Sequence, residues 1–110
     1  MKQGEIWFAN LDPTKGSEQA GFRPLLIISG DLLNDLAPVL VCCPLTTQIK
    51  NYHGNLVLEP NKQNGLKTKS EVLTLHIRSV SKNRFKEKIG KIDQEQMKIV
   101  HKCLEDILNY

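Results

Sequence analysis

A chain of 110 residues that is 40% hydrophobic and 25% charged has the size and composition of one ordinary globular domain with a small core. No apolar run approaches the roughly 20 residues of a membrane span, and the N-terminal MKQGEIWFAN turns polar after Phe8, so neither a spanning helix nor a secretory signal is expected and the expected location is cytoplasmic. The net charge of +3 is mild: it permits a nucleic acid or an acidic peptide as partner and requires neither.

Ile6 to Ala9 is predicted as the first strand. The segment NLDPTKGSEQAGFRP follows; its Asp-Pro step, Gly16 and Gly21 make a loop longer than a usual hairpin connection. Leu25 to Ser29 is continuously apolar and partly β-branched, hence a buried strand. Asp31 offers a cap for a short helical turn. Val39 to Leu45 is a second buried strand, and Pro44, which has no N–H, puts an edge or bulge at its end. Cys42 and Cys43 point to opposite faces of that strand, so they cannot chelate as a Cys-x-x-Cys pair; with Cys103 they read as buried, reduced thiols.

After the polar TTQIKNYHGN, Leu56 to Leu58 is a short strand and EPNKQNGLKTKS a second long loop. Glu71 to Val80 alternates, with Leu73, Leu75 and Ile77 on one face and Val72, Thr74, His76, Arg78 and Val80 on the other. SKNRFKEKIGKI is a basic turn and strand. Asp93 and Gln96 have the spacing of a capping box, and Met97, Val100, Leu104, Ile107 and Leu108 form the apolar stripe of a core-packed helix. The order predicts a single mainly β domain over residues 1–110, closed by one C-terminal helix. A small antiparallel barrel would remove the exposed edges; a partly open sheet with the helix on one face fits the same periodicity.

Motifs for phosphate loops, zinc proteases and serine hydrolases are lacking, and His53, His76 and His101 show no ligand spacing, so no metal or cofactor is expected. A diffuse polar set remains. Arg23 stands where the loop enters a strand; a guanidinium stays cationic and can fork two phosphate oxygens, although Glu18 or a loop carbonyl is an equal claimant for it. Gln19 shares that loop. Thr46 and Thr47 end a buried strand, as site groups or as turn hydroxyls. His76 and Arg78 share one strand face. The basic groups Lys62, Lys67, Lys69 and Lys82, Arg84, Lys86, Lys88, Lys91 suit solvated surface as well as a phosphate backbone.

The order of these pieces resembles the MazF/PemK family of toxin endoribonucleases. GEIWFANLDPTKGSEQAGFRPLLIIS matches that family's N-terminal signature, and CPLTTQI, KSEV, HIRSVSKNRF, IGKI and the terminal helix extend the likeness over essentially the whole chain. The resemblance implies a small SH3-like β-barrel acting as a homodimer. It implies metal-free, sequence-selective cleavage of single-stranded RNA (mRNA) to 2′,3′-cyclic phosphate and 5′-hydroxyl ends. It also implies a cognate antitoxin whose acidic C-terminal segment folds across the RNA groove, with DNA met only through that antitoxin complex.

The family's catalytic arginine falls on Arg23 and its catalytic threonine or serine on Thr46. Glu18, Gln19 and Phe22 fall on loop positions that border the groove, which makes Glu18 a candidate base. RNA contacts are expected from Thr47, Gln48, Lys50, Lys69, His76, Arg78, Lys82 and Arg84. Some relatives use an Arg and an Asp for acid/base chemistry where this chain has Leu73 and Leu75, so that variant of the mechanism is not expected; His76 stands at a position that is often Gln. Two rivals share the barrel. A gyrase-poisoning toxin would carry a C-terminal tryptophan tail, whereas the only Trp here is Trp7. An inert SH3-like binding module would have no use for the Gly16–Pro24 loop.

Overall fold

The apolar runs of the sequence form strands that pair antiparallel throughout. The computed structural model describes residues 1–11 and 21–109. Within them lie β1 (Glu5–Asn10), β2 (Phe22–Ile27), α1 (Asp31–Leu36), β3 (Val39–Thr46), β4 (Val57–Leu58), β5 (Ser70–Val72), β6 (Arg78–Ser81), β7 (Phe85–Lys91) and α2 (Gln94–Asn109), with single 3-10 turns at Thr74–His76 and Lys82–Arg84. The sheet runs β4-β5-β3-β2-β1-β7, and β6 pairs with β3 alongside β5. None of the described helices is long and apolar enough to cross a membrane.

Continuous apolarity in β2 and β3 has a direct cause: both faces of the sheet are covered. Ile6, Leu26, Cys43, Leu45, Val72, Met97 and Val100 fill one core. Ala9, Leu25, Ile27, Leu40, Cys42 and Val80 fill a second. The adjacent Cys42 and Cys43 therefore part into different cores, and all three cysteines are free and buried, as the sequence predicts. Burial pushes the Cys42 and Cys43 thiols up to about 12, so both stay protonated at neutral pH.

The β2–β3 ladder pairs Leu25 with Pro44, Leu26 with Cys43 and Ile27 with Cys42. Ala9 of β1 pairs with Arg23, so β2 begins earlier than the Leu25 start read from apolarity, and Arg23 and Pro24 belong to the strand. Leu11 N–H donates to the Gly21 carbonyl at 2.7 Å, just beyond this hairpin.

Three other expectations are corrected. The Glu71–Val80 strand is broken: β5 ends at Val72, a 3-10 turn occupies Thr74–His76, and β6 starts at Arg78. The reason lies across the sheet. Pro44 sits in β3 between the partners it gives to β6 (Val39 to Cys42) and to β5 (Leu45 and Thr46). Its carbonyl accepts from Leu73 N–H at 2.8 Å, but it has no N–H to return. Leu75 and Ile77 accordingly lie 66% and 40% exposed rather than lining a buried face. Second, Asp31 is not the cap of α1. Gly30 is, and the Asp31 carboxylate accepts from Gln3 N–H at 2.8 Å. Third, Leu108 is 78% exposed; Cys103 joins Met97 and Val100 on the buried stripe of α2. The capping box itself forms, with Gln96 N–H on Asp93 Oδ1 at 2.8 Å and Asp93 N–H on Gln96 Oε1 at 3.0 Å.

The sheet curls into a half-barrel whose rim is completed by a loop rather than a ladder. Lys91 N–H donates to the Gln63 carbonyl at 3.0 Å. Asn64, almost wholly buried, shapes that loop by accepting from Asn61 N–H and Leu66 N–H and donating to the Glu59 carbonyl. The approach is close enough to require glycine on both sides. A Cβ at Gly65, which has φ +67°, would stand 2.1 Å from the Ile89 carbonyl oxygen, and one at Gly90 would stand 2.4 Å from the Asn64 carbonyl. Gly65→Ala and Gly90→Ala are each expected to lower stability by more than about 1 kcal/mol, read from urea unfolding midpoints. Wild-type midpoints would show that the rim does not depend on this contact.

Candidate active site

Continued two residues beyond Leu25↔Pro44, the β2–β3 register sets Arg23 opposite Thr46. Residues paired across an antiparallel ladder project to the same face, here the face that carries Leu25 and Cys42. Both side chains line a cavity of about 520 Å³, together with Phe22, Thr47, Gln48, Leu73 and His76. Pro24, Thr47 and Ser70 continue from it into a second cavity of about 450 Å³, bounded by Phe8, Gly65 to Thr68 and Glu87 to Ile89. The two share Pro24, Thr47 and Ser70 and make one elongated groove that runs past residues 47–48 and 65–68.

Arg23 is exposed and at the groove mouth. Thr46 Oγ1 accepts from Gln48 N–H at 3.1 Å; that bond uses a lone pair and leaves the hydroxyl proton for a ligand. Thr46 is thus a turn hydroxyl and a groove group at once. His76 is exposed at the end of the 3-10 turn. Lys86 Nζ lies 5.1 Å from the centre of the Phe22 ring, near enough for a cation–π contact.

The other sequence-nominated groups are dispersed. Lys50, Lys69, Arg78, Lys82 and Arg84 are not among the described residues lining either cavity. Lys69 pairs with Glu59 at 3.5 Å on the surface. Arg78 lies on β6 opposite Cys42, Lys82 N–H donates to the Pro38 carbonyl, and Arg84 Nη1 donates to the Asn10 carbonyl at 3.1 Å. Glu18 and Gln19 lie outside the described residues. Among those residues, no three His, Cys, Asp or Glu side chains converge as a metal group would need.

Sequence reasoning missed Glu71. It lies fully buried on β5, paired with Thr46. Its carboxylate accepts from the backbone N–H groups of Lys50 (2.6 Å), Asn51 (3.0 Å) and Tyr52 (3.1 Å) and from Asn55 Nδ2 (2.8 Å). Asn51 adopts φ +56°, which turns successive N–H groups toward one acceptor. Burial pushes the Glu71 carboxyl up, but the hydrogen bonds from Asn55 and from the three amides outweigh it and hold the group below its ordinary value of 4.5. The available signal was a lone acid in a strand, next to a loop with many amides and few internal acceptors.

The family model described as PemK-like, MazF-like toxin of type II toxin-antitoxin system matches residues 2–108. Endoribonuclease EndoA of Bacillus subtilis (strain 168) is 35% identical over 106 residues, which are 96% of this chain and 91% of that protein. Endoribonuclease MazF of Staphylococcus saprophyticus is 33% identical over 106 residues, 96% of this chain and 88% of that protein. A solved MazE-MazF structure from Deinococcus radiodurans superposes with a TM-score of 0.80 at 25% identity, covering 98% of this chain and 95% of that one.

Because Glu71 titrates lower folded than unfolded, the stability it confers is complete above the ordinary glutamate value and is lost as pH falls through the folded value. Urea unfolding should therefore show Glu71→Gln well below wild type at pH 7, with the gap closing as pH falls below the ordinary value of 4.5. A gap that does not change with pH would mean that the carboxylate charge is not what the loop amides bind.

Proposed function

This chain belongs to the PemK-like, MazF-like toxin family of type II toxin–antitoxin systems, and on that premise we propose that its groove cleaves single-stranded RNA by metal-independent transesterification. It is a toxin endoribonuclease. The observation that carries the mechanism is the meeting of Arg23 and Thr46, from neighbouring strands, in one elongated groove. An extended groove with cation, hydroxyl and aromatic groups suits a strand of several nucleotides better than a compact metabolite.

The RNA 2′-hydroxyl is the nucleophile, so the protein supplies no covalent group. It must accept the 2′ proton, stabilise the crowded phosphorane and assist the departing 5′ oxygen. The Arg23 guanidinium meets two phosphate oxygens and faces the charge that builds in the transition state. The Thr46 hydroxyl donates to the phosphate and fixes the line of attack. The 2′-oxygen gives its proton to the base and bonds to phosphorus, the P–O5′ bond breaks, the 5′ oxygen takes a proton from solvent water, and a 2′,3′-cyclic phosphate remains. Need for the 2′-hydroxyl makes RNA, not DNA, the substrate. Glu18 and His76 compete as proton acceptor.

We take the working unit as a homodimer, whose two-fold interface lengthens the groove with loops of both chains. The Deinococcus MazF is solved with its MazE. By extension, the partner here is an antitoxin whose acidic segment competes with RNA for the same cations. The reading places the toxin in the cytoplasm with mRNA, an environment that suits three unpaired thiols.

A fluorogenic RNA–DNA oligonucleotide with EDTA present tests this. Wild type should cut it to a cyclic phosphate end, and a 2′-O-methyl group at the cleaved nucleotide should abolish cutting. Arg23→Ala should lose at least about a hundredfold in rate with an unchanged melting temperature, and Thr46→Val should lose far more than Thr47→Val. For His76→Gln, an unchanged rate removes His76 as the acceptor and leaves Glu18, and a lost rate together with loss of the acidic limb of the pH profile assigns His76. Wild-type rates in Arg23→Ala, or cutting of the 2′-O-methyl substrate, would overturn the mechanism.

A further inference from the structure

The segment that leaves the groove after Thr46 contains no strand before Val57 and no helix, yet it carries Thr47 and Gln48 along the groove wall. Its amides therefore need acceptors outside any strand or helix ladder. Gln48 N–H uses Thr46 Oγ1, Asn55 N–H uses the Tyr52 carbonyl, and the N–H groups of Lys50, Asn51 and Tyr52 all converge on Glu71. Cys103 of α2 adds a contact to the other side of Asn55, Sγ to Oδ1 at 3.4 Å, so the loop is gripped between β5 and α2.

Resting on the RNA-cleaving reading above, we infer that Glu71 is a positioning residue for RNA recognition: its buried carboxylate is the template on which residues 47–55 fold, and it thereby sets where Thr47 and Gln48 meet the RNA beside the cleaved phosphate. Glu71 touches no substrate itself. It stands across the ladder from Thr46, so one residue pair fixes both the reacting hydroxyl and the loop that presents the neighbouring nucleotide. A loop carried by four hydrogen bonds to one carboxylate depends on the full acceptor capacity of that group. An amide in its place offers one oxygen and turns a donor toward donors. The lowered titration of Glu71 agrees with an ionised template at neutral pH.

Hydrogen exchange reads the loop directly. In Glu71→Gln the amides of residues 50–52 should exchange at least about tenfold faster, while β2 and β3 keep wild-type protection. Unchanged exchange at 50–52 overturns the proposal. Steady-state cleavage then separates positioning from packing, because a displacement of about 1 Å beside a reacting group can cost on the order of a hundredfold. Glu71→Gln should raise KM for the RNA-containing oligonucleotide more than it lowers kcat, and Glu71→Asp should recover part of the loss. Val80→Ala, which thins the second core where β6 pairs with Leu40, at the far end of β3 from Thr46, should leave KM unchanged well below its melting temperature. Wild-type KM in Glu71→Gln, or an equal rise in Val80→Ala, counts against the proposal. Asn55→Ala removes one of the four bonds and should shift exchange and KM in the same direction by less; it carries the test if Glu71→Gln does not fold, and wild-type exchange and KM there overturn the proposal equally. A wild-type protein that cuts no RNA overturns the proposed function alone, since the exchange experiment needs no substrate.

Discussion

The antiparallel register of β2 on β3 is the constraint on which the rest of the molecule depends. It buries Leu25 and Leu26, Cys42 and Cys43 on alternate faces, so each core receives half of each strand. A slip of one residue would exchange the two cores and turn Arg23 and Thr46 away from the groove. Stability and the proposed chemistry thus select the same register. The same pairing puts Pro44 where its missing donor breaks the strand opposite, and that break brings Leu73 and His76 to the groove.

Two segments beside the groove, residues 47–55 and 59–69, share one way of folding. Each is folded around one buried polar side chain rather than an apolar cluster of its own. Glu71 gathers the amides of residues 50–52, and Asn64 gathers those of Asn61 and Leu66. In a chain of 110 residues little apolar surface is available to bury a loop. A satisfied polar side chain fixes backbone without enlarging the core, and it leaves the outward side chains of the loop to meet a ligand. Loops built this way can change their exposed residues while keeping their shape.

Much of this was legible in the sequence, for identifiable reasons. The capping box at Asp93 and Gln96, the helical stripe and the opposed cysteines follow from local spacing, and local spacing survived into the fold. The break after Val72 was not legible, because its cause, Pro44, acts across strands and not along the chain. Glu71 was hidden for a similar reason: alternation marks a charged strand residue as solvent-facing, and only the loop packed over β5 makes it a buried acceptor. Residue chemistry alone left Arg23 between a surface ion pair and a phosphate site. The family resemblance chose the second reading, and the register supplies a geometric basis for it. Of the lysines and arginines grouped by sequence, Lys67 and Lys88 line the groove, whereas Lys82 and Arg84 do not, because both sit in a 3-10 turn away from it.

The central claim is that Arg23 and Thr46 act together on one phosphate. A double-mutant cycle measures that most directly: kcat/KM on a single RNA-containing oligonucleotide for wild type, Arg23→Ala, Thr46→Val and the double variant. Two groups sharing one transition state should be strongly non-additive, with the double variant little worse than Arg23→Ala and a coupling energy above about 1 kcal/mol. Losses that simply add would mean that the two side chains serve separate steps or separate sites, and would contradict the account.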